Sequence, residues 1–312
     1  MASPLDSTFG VWLVAIWLQT LLQGCGLLQA WLYFHWYAKD SWGIKGMVIF
    51  LVLIETFQII TFFQITYFYL IDNFGNVPNL LVIYWQDSAQ LFATYLSAFV
   101  VQLYFGYCIY VLNKKNKIVP AIVVILALTQ IAAGLAQTIL TVKIHLLTEL
   151  EKTVPITTLE AASALCCDLV ITSALLWNLR KHKGQIKSTN NLLNRLMINA
   201  INRGGLTALC AAVNMIVFIS KPGTYYFFIG LLLSGKLYMN SALATLNSRQ
   251  HIAAKAQSSA GSGREWNSIA MEGMSRGKDH TQQSGVHIVV DHQSQTDRDM
   301  DYKTSNFMDG MV

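Results

Sequence analysis

The chain has 312 residues, of which 54% are hydrophobic and 12% are charged, and its formal net charge is +5. The hydrophobic residues fall in long blocks instead of at the spacing of a soluble core, which excludes an ordinary soluble globular protein. The basic residues lie in short loops between those blocks, so we expect contact with anionic lipid and no nucleic-acid site.

Seven apolar blocks are each long enough to cross a bilayer. A hydrocarbon core about 30 Å thick needs roughly 20 helical residues, and lipid admits only helices or closed barrels. The continuous apolar run from Ile118 to Val142 excludes a barrel. We predict an all-α bundle of seven transmembrane helices within residues 1–249, with spans at Gly10 to Tyr37, Lys45 to Ile71, Gln86 to Leu112, Ile118 to Val142, Leu159 to Leu179, Leu196 to Ile219 and Tyr225 to Leu246.

The basic residues of the loops are distributed unequally between the two sides. One set of loops holds Lys39, Lys45, Lys114, Lys115, Lys117, Arg180, Lys181, Lys183, Lys187 and Arg195, with Arg249 and Lys255 after the last span. The other set holds only Lys143, Lys152 and Lys221. Because positive charge resists translocation, we predict an external N-terminus and a cytoplasmic C-terminus, with the plasma membrane as the favoured location.

The composition changes after the last span. Residues 250–312 are rich in Ser, Gly, Gln and Asp and show little apolar periodicity. Such a segment cannot bury enough apolar surface to offset the entropy of ordering. We predict a disordered cytoplasmic tail.

Four charged residues lie inside predicted spans, where an isolated charge is expensive. They are Glu55, Asp168, Arg203 and Lys236. Counting about 1.5 Å per residue from the cytoplasmic ends places all four at a depth of roughly 12–18 Å. We predict a neutral intramembrane ionic network in which Glu55 pairs with Lys236 and Asp168 pairs with Arg203.

Polar side chains at helical spacing surround these charges. The residues concerned are Asp87, Gln90, Thr94 and Ser97 in the third span, Asn199 in the sixth and Asn240 in the seventh. One interpretation is interhelical hydrogen bonding, worth about 1 kcal/mol or less per bond, which fixes the packing. The other is an outward-open cavity between spans two, three, five, six and seven, with the third-span residues as its wall and the ionic network as its floor.

The sequence argues against catalysis. All seven histidines lie at span ends, in loops or in the tail, so an intramembrane zinc site based on histidine lacks ligands. There is no His-Glu-x-x-His, no Gly-x-Ser-x-Gly and no phosphate-binding glycine loop. We therefore predict no enzymatic activity, no metal and no cofactor. A retinal Schiff base on Lys236 is disfavoured, because Leu232 stands where retinal proteins usually carry an aspartate.

The last two spans carry a family pattern. The segments LLNRLMINAINRGGLTALCA and LLLSGKLYMNSALATLNSR, within Asn191 to Arg249, resemble a large family of fungal seven-span proteins, mainly basidiomycete. The C-terminal half of that family is described as domain of unknown function 6534, and its expected extent here is 166–248. The segment VVQLYFGYCIYVLNKKNK at the end of the third span is also similar. The resemblance implies an external N-terminus and no assigned activity, and it marks as positions of interest Asp168, Arg203, Lys236, Asn240 and Asn247.

Two functional classes remain open. The first is a receptor-like protein that binds a small apolar or amphipathic molecule in the outer cavity and signals to a cytoplasmic partner through the basic segment Arg180 to Arg195 and the tail. The second is a transporter or channel for a small solute or protons, gated by the ionic network. A structural membrane component is a third alternative.

Overall fold

The computed structural model describes residues 6–76, 78–112, 117–182, 204–207, 209–210, 213, 216–217, 220 and 226–249. Its long elements are helices: α1 (Val11–Trp36), α2 (Trp42–Tyr67), α3 (Trp85–Leu112), α4 (Ile118–Ile144), α5 (Val154–His182) and α6 (Tyr226–Asn247). Shorter helical turns lie at Asp6–Gly10, Phe68–Asp72, Asn79–Leu81 and Leu147–Thr153. The all-α prediction is confirmed for this part of the chain. Helices α1 to α5 correspond to the first five predicted spans, and α6 corresponds to the seventh.

The surface of the bundle is apolar and its interior contains polar side chains. Five segments that overlap α1 to α5 are long and apolar enough to cross a membrane, and α6 is a further long helix. Trp17 and Leu53 are 62% and 64% exposed, whereas Gln58 and Lys236 are fully buried. A soluble protein shows the opposite preference, since lysine and glutamine are mostly exposed and large apolar residues are mostly inside. The chain is therefore a multi-pass membrane protein.

Most of the predicted sixth span and the whole tail lie outside the residues that the structure describes. Within positions 204–220, every described residue is helical. The tail at 250–312 falls entirely outside the described residues. The number of seven spans and the disorder of the tail therefore stay predictions.

Helix α5 begins at Val154, five residues before the predicted start at Leu159. The proline at position 155 does not prevent this, because the first turn of a helix needs no N–H donor there. The Thr158 hydroxyl donates a hydrogen bond to the Val154 carbonyl at 2.7 Å. The additional N-terminal turn of α5 therefore leaves the hydroxyl of Thr158 paired. As a consequence, Glu160 lies within the helix instead of at its end.

Helix α3 is central in the described bundle. It packs against α2, α4, α5 and α6, while α1 packs against α2 and α6, and α4 packs against α5. Polar side chains on different faces of α3 therefore meet different neighbouring helices. This arrangement places α3 between the two polar regions described below.

Two connections meet at one end of the bundle. Val82, between α2 and α3, forms an antiparallel bridge with Leu146, between α4 and α5. The Ile83 N–H donates to the His145 carbonyl at 2.8 Å. Both connections therefore lie on the same side, as expected for helices that alternate in direction. We call this end, which contains the N-termini of α3 and α5, the α3/α5 N-terminal end.

Candidate functional site

A buried ion pair joins α2 to α6. Glu55 and Lys236 are 1% and 0% exposed. The Lys236 Nζ donates a short hydrogen bond to Glu55 Oε2, and it also donates to the Glu55 carbonyl at 2.9 Å and to Gln58 Oε1 at 2.6 Å. The predicted contact between Glu55 and Lys236 is thus present in the structure.

The Lys236 ammonium is fully satisfied by this arrangement. An ammonium group has three N–H donors, and each finds an acceptor here. Gly235 allows the close approach, since a Cβ at that position would lie 2.6 Å from Glu55 Oε1. A larger residue before Lys236 would push the carboxylate away from its partner.

The ion pair continues into α3 through Gln58. The Gln58 Nε2 donates to the Thr94 hydroxyl oxygen at 2.6 Å, and the Thr94 hydroxyl donates to the Gln90 carbonyl at 3.0 Å. Glu55, Lys236, Gln58 and Thr94 therefore form one hydrogen-bonded series across α6, α2 and α3. All four side chains are buried.

Thr94 also borders a cavity of about 60 Å³ between α3, α4, α5 and α6. Its polar and aromatic lining consists of Thr94, Tyr95, Gln130, Glu160, Asp168, Thr207, Ser234 and Tyr238. The remaining walls are alanine, leucine and glycine. A space of this volume has room for roughly four to six water-sized groups, since each needs about 10–15 Å³. The cavity lies in the half of the bundle nearer the α3/α5 N-terminal end.

Glu160 and Gln130 face each other across the cavity lining. The Gln130 Nε2 donates to Glu160 Oε1 at 3.0 Å. Glu160 is 8% exposed and Gln130 is 1% exposed. In the described part of the chain, Gln130 Oε1 has no hydrogen-bond partner. The cavity lining therefore includes a buried carboxylate and the amide side chain that donates to it.

Asp168 lies two helical turns beyond Glu160 on α5 and lines the same cavity. Its Oδ2 accepts a hydrogen bond from the Tyr238 hydroxyl at 2.7 Å. Arg203, its predicted partner, lies outside the described residues, so the pairing of Asp168 with Arg203 stays a prediction. Asn199 also lies outside the described residues.

The four polar residues of the predicted third span lie in different environments. Thr94 lines the cavity, but Asp87 Oδ2 accepts hydrogen bonds from the Tyr69 hydroxyl at 3.1 Å and the Tyr84 N–H at 3.0 Å. Asp87 therefore holds the start of α3 against the preceding connection. Gln90 and Ser97 are buried in the packed bundle and are not among the residues that border this cavity.

Asn240 contacts α1 instead of the cavity. Its Nδ2 donates to the Leu22 carbonyl at 3.0 Å, and its Oδ1 accepts from the Gln29 Nε2 at 3.0 Å. These bonds fasten α6 to α1. Asn240 is therefore a packing residue in this structure.

Sequence reasoning missed Glu160, Gln130, Tyr95 and Tyr238 as cavity residues. Glu160 was missed because the predicted span began at Leu159, which placed the Glu160 carboxylate at the membrane–water interface. A signal was available, since Glu160 and Asp168 are eight residues apart and a helix places such residues on one face. The described residues contain no group of three or more His, Cys, Asp or Glu side chains placed to hold a metal ion.

Comparison with known proteins gives one match. Residues 164–251 are similar to a family of unknown function, DUF6534. The matched segment begins within α5, contains α6 and includes Asp168 and Lys236, whereas Glu55, Thr94 and Glu160 lie before it. No curated protein and no solved structure matches the chain. The DUF6534 match carries no activity, so function has to be argued from the geometry.

Proposed function

We propose that this multi-pass membrane protein is receptor-like and binds a small amphipathic molecule in the cavity between α3, α4, α5 and α6. The observation that carries the proposal is this cavity, whose lining includes the buried Glu160 carboxylate and the Gln130 amide that donates to it. Thirteen buried side-chain atoms have no partner among the described residues, and Gln130 Oε1 is the one of them whose residue lines this cavity. Small-molecule sites combine apolar walls with a few placed polar groups, as this cavity does.

Thr94 supports a connection between the cavity and the ion pair. It borders the cavity and also accepts the hydrogen bond from Gln58, which in turn accepts from Lys236. A ligand that moves Thr94 therefore disturbs the contacts that join α2 to α6. We expect occupancy to change the packing of these helices, and the basic segment Arg180 to Arg195 and the tail to present that change to a cytoplasmic partner.

The proposal includes seven spans, an external N-terminus and a plasma-membrane location. Its support is the excess of Lys and Arg on one set of loops and the contact between the two connections at Ile83 and His145. The wider likeness to fungal seven-span proteins is part of the same proposal. The activity is binding without catalysis, since the cavity contains carboxyl, amide and hydroxyl groups but no described histidine or cysteine nucleophile.

A second candidate, transport of a small solute or protons, is favoured by the Glu55–Lys236 pair. Ionisable residues inside membrane helices commonly mark ion and solute pathways. In this alternative, separation of the pair opens a path that continues from the cavity through Thr94 and Gln58. The two candidates differ in whether the molecule that binds also crosses the membrane.

Thermal unfolding of the full chain in lipid nanodiscs tests the binding proposal. The probes are alcohols, amines and carboxylic acids of two to four carbons, and the eight tryptophans supply the fluorescence signal. At about ten times its Kd, a ligand raises the Tm by roughly 3 °C or more. The Ala164→Leu substitution fills the cavity lining and is expected to abolish this rise.

Ala162→Leu is the matched control, because Ala162 is exposed on the same helix. It should leave the ligand effect unchanged. Absence of stabilisation by every probe, or equal stabilisation of the Ala164→Leu protein, overturns the binding proposal. If a probe that stabilises the protein is also taken up into sealed liposomes, and if Glu55→Gln abolishes that uptake, the function is transport and not reception.

A further inference from the structure

The cavity contains a buried acidic group that is separate from the Glu55–Lys236 pair. Glu160 is 8% exposed, and its one hydrogen bond among the described residues comes from the neutral amide of Gln130. No Lys, Arg or His is among the described residues that border the cavity. A carboxylate in such a place is costly unless a positive charge or a proton neutralises it.

The second observation is the orientation of the Gln130 amide. Gln130 lines the cavity, its N–H group donates to Glu160, and its Oε1, next to that hydrogen bond, is buried without a partner among the described residues. The site therefore offers two neighbouring acceptors, a carboxylate oxygen and an amide oxygen. Both would be satisfied by a positively charged group that carries at least two N–H donors.

The walls limit the size and character of the rest of the ligand. Ala161, Ala164 and Leu165 present apolar surface on the same helix as Glu160. The Tyr95 ring is held in place, because its hydroxyl donates to Gln137 Oε1 at 2.7 Å, and it adds an aromatic wall. An aromatic face near a cation is favourable. A volume of about 60 Å³ accepts only a small molecule.

We propose that Glu160 and Gln130 bind the ammonium group of a small primary amine, with a short apolar substituent against the Ala161, Ala164 and Leu165 wall. This inference rests on the proposed binding function and specifies the ligand class. Glu160 supplies the charge and Gln130 Oε1 supplies the second acceptor. A neutral alcohol of the same size donates one hydrogen bond and carries no charge, so the site discriminates against it.

The test measures the Tm of the full chain in nanodiscs of neutral lipid with ethylammonium chloride, ethanol and sodium chloride at equal concentrations. Ethylammonium should raise the Tm by about 3 °C near ten times its Kd, and ethanol and sodium chloride should raise it by less. Tetramethylammonium chloride has the charge without N–H donors and should also give a smaller rise. Equal effects of ethylammonium and sodium chloride would show salt screening and overturn the proposal.

The Glu160→Gln substitution keeps the shape of the side chain and removes its charge. It should weaken ethylammonium binding at least about tenfold, because a hydrogen bond to a charged group is lost. Glu149→Gln is the control, since Glu149 is an exposed carboxylate already paired with Lys152. Gln130→Leu removes the second acceptor and should weaken the binding of ethylammonium more than the binding of ethanol. It is the test variant to use if Glu160→Gln does not fold.

The outcomes distinguish this inference from the proposed function. If ethanol or another neutral probe stabilises the protein in a way that Ala164→Leu abolishes, while ethylammonium has no effect, the cavity binds ligands but the amine assignment is wrong. If Glu160→Gln raises the Tm and no amine changes it, Glu160 is a protonated packing residue and the amine proposal fails. If neither class of probe acts, both proposals fail.

Discussion

The Glu55–Lys236 pair and the Glu160–Gln130 pair are both buried and polar, but only the first contains a cation and only the second lines a cavity. The Lys236 ammonium uses all three donors on acceptors of α2. Gln130 lines a cavity, and its Oε1 has no partner in the described structure. Glu55 Oε1 also has no partner among the described residues, but neither Glu55 nor Lys236 lines the cavity, whereas Glu160 and Gln130 do.

This difference indicates separate tasks for the two regions. A network whose donors are all paired fixes the packing of the helices that carry it. A buried carboxylate that lines a cavity is suited to recognition, because a ligand gains hydrogen bonds that the protein alone does not make. Substitutions in the first region should therefore act mainly on stability, and those in the second should act mainly on binding.

The largest expected effect is that of Lys236→Met. It leaves the Glu55 carboxylate buried without its cation, which costs about 3–5 kcal/mol of unfolding free energy in comparable buried pairs. The double variant Glu55→Gln with Lys236→Met should recover most of that loss. Reversible unfolding in mixed micelles measures both values. A loss below about 1 kcal/mol for the single variant would contradict the assignment of a stabilising pair.

Gly134→Ala should have the next largest effect. A Cβ at Gly134 would lie 2.5 Å from the Tyr95 ring, so α3 and α4 would have to separate at the cavity wall. Overpacking of this kind costs about 1–3 kcal/mol. Gly24→Ala in α1 is the control, because no atom lies within 4 Å of the added methyl, and it should be neutral or stabilising by up to about 1 kcal/mol. Equal stability of the two variants would show that the approach of α3 and α4 at this glycine is not tight.

The contrast between the two regions also shows what could be derived from the sequence. The apolar blocks locate α1 to α4 closely, because lipid requires long apolar helices and leaves few other arrangements. The contact of Glu55 with Lys236 could be predicted because a charge inside the bilayer needs a partner and both residues were placed at a similar depth. Depth follows from counting residues along a helix.

The direction in which a side chain faces could not be derived in the same way. Spacing fixes the face of a helix on which a residue lies, but not the neighbour that this face meets. Asp87 therefore holds the start of α3 instead of lining a cavity, and Asn240 bonds to α1. Glu160 was missed for a different reason, since the proline at position 155 falls in the first turn of α5 and the helix starts earlier than the apolar pattern indicates.

Thr94→Val examines the junction of the two regions. The substitution keeps the shape of the side chain and removes the acceptor of Gln58, so the expected loss of stability is about 1 kcal/mol or less. The ligand-induced rise in Tm should fall, because Thr94 borders the cavity. Thr129→Val is the control, since the Thr129 hydroxyl is exposed and bonds only to the Ile125 carbonyl among the described residues. An unchanged ligand effect in Thr94→Val would separate the cavity from the ion-pair network.

The smallest effect is expected for Glu149→Gln. Glu149 and Lys152 form an ion pair at 2.8 Å, and their side chains are 40% and 65% exposed, whereas those of Glu55 and Lys236 are buried. Water already solvates both charges, so the loss should be about 0.5 kcal/mol or less and should shrink further at high salt. Unfolding measured at two salt concentrations checks this value beside that of Lys236→Met, whose cost should change little with salt because the pair is buried. A similar cost for both substitutions would show that burial does not set the strength of the α2–α6 pair, and the distinction between a packing region and a binding region would then lose its physical basis.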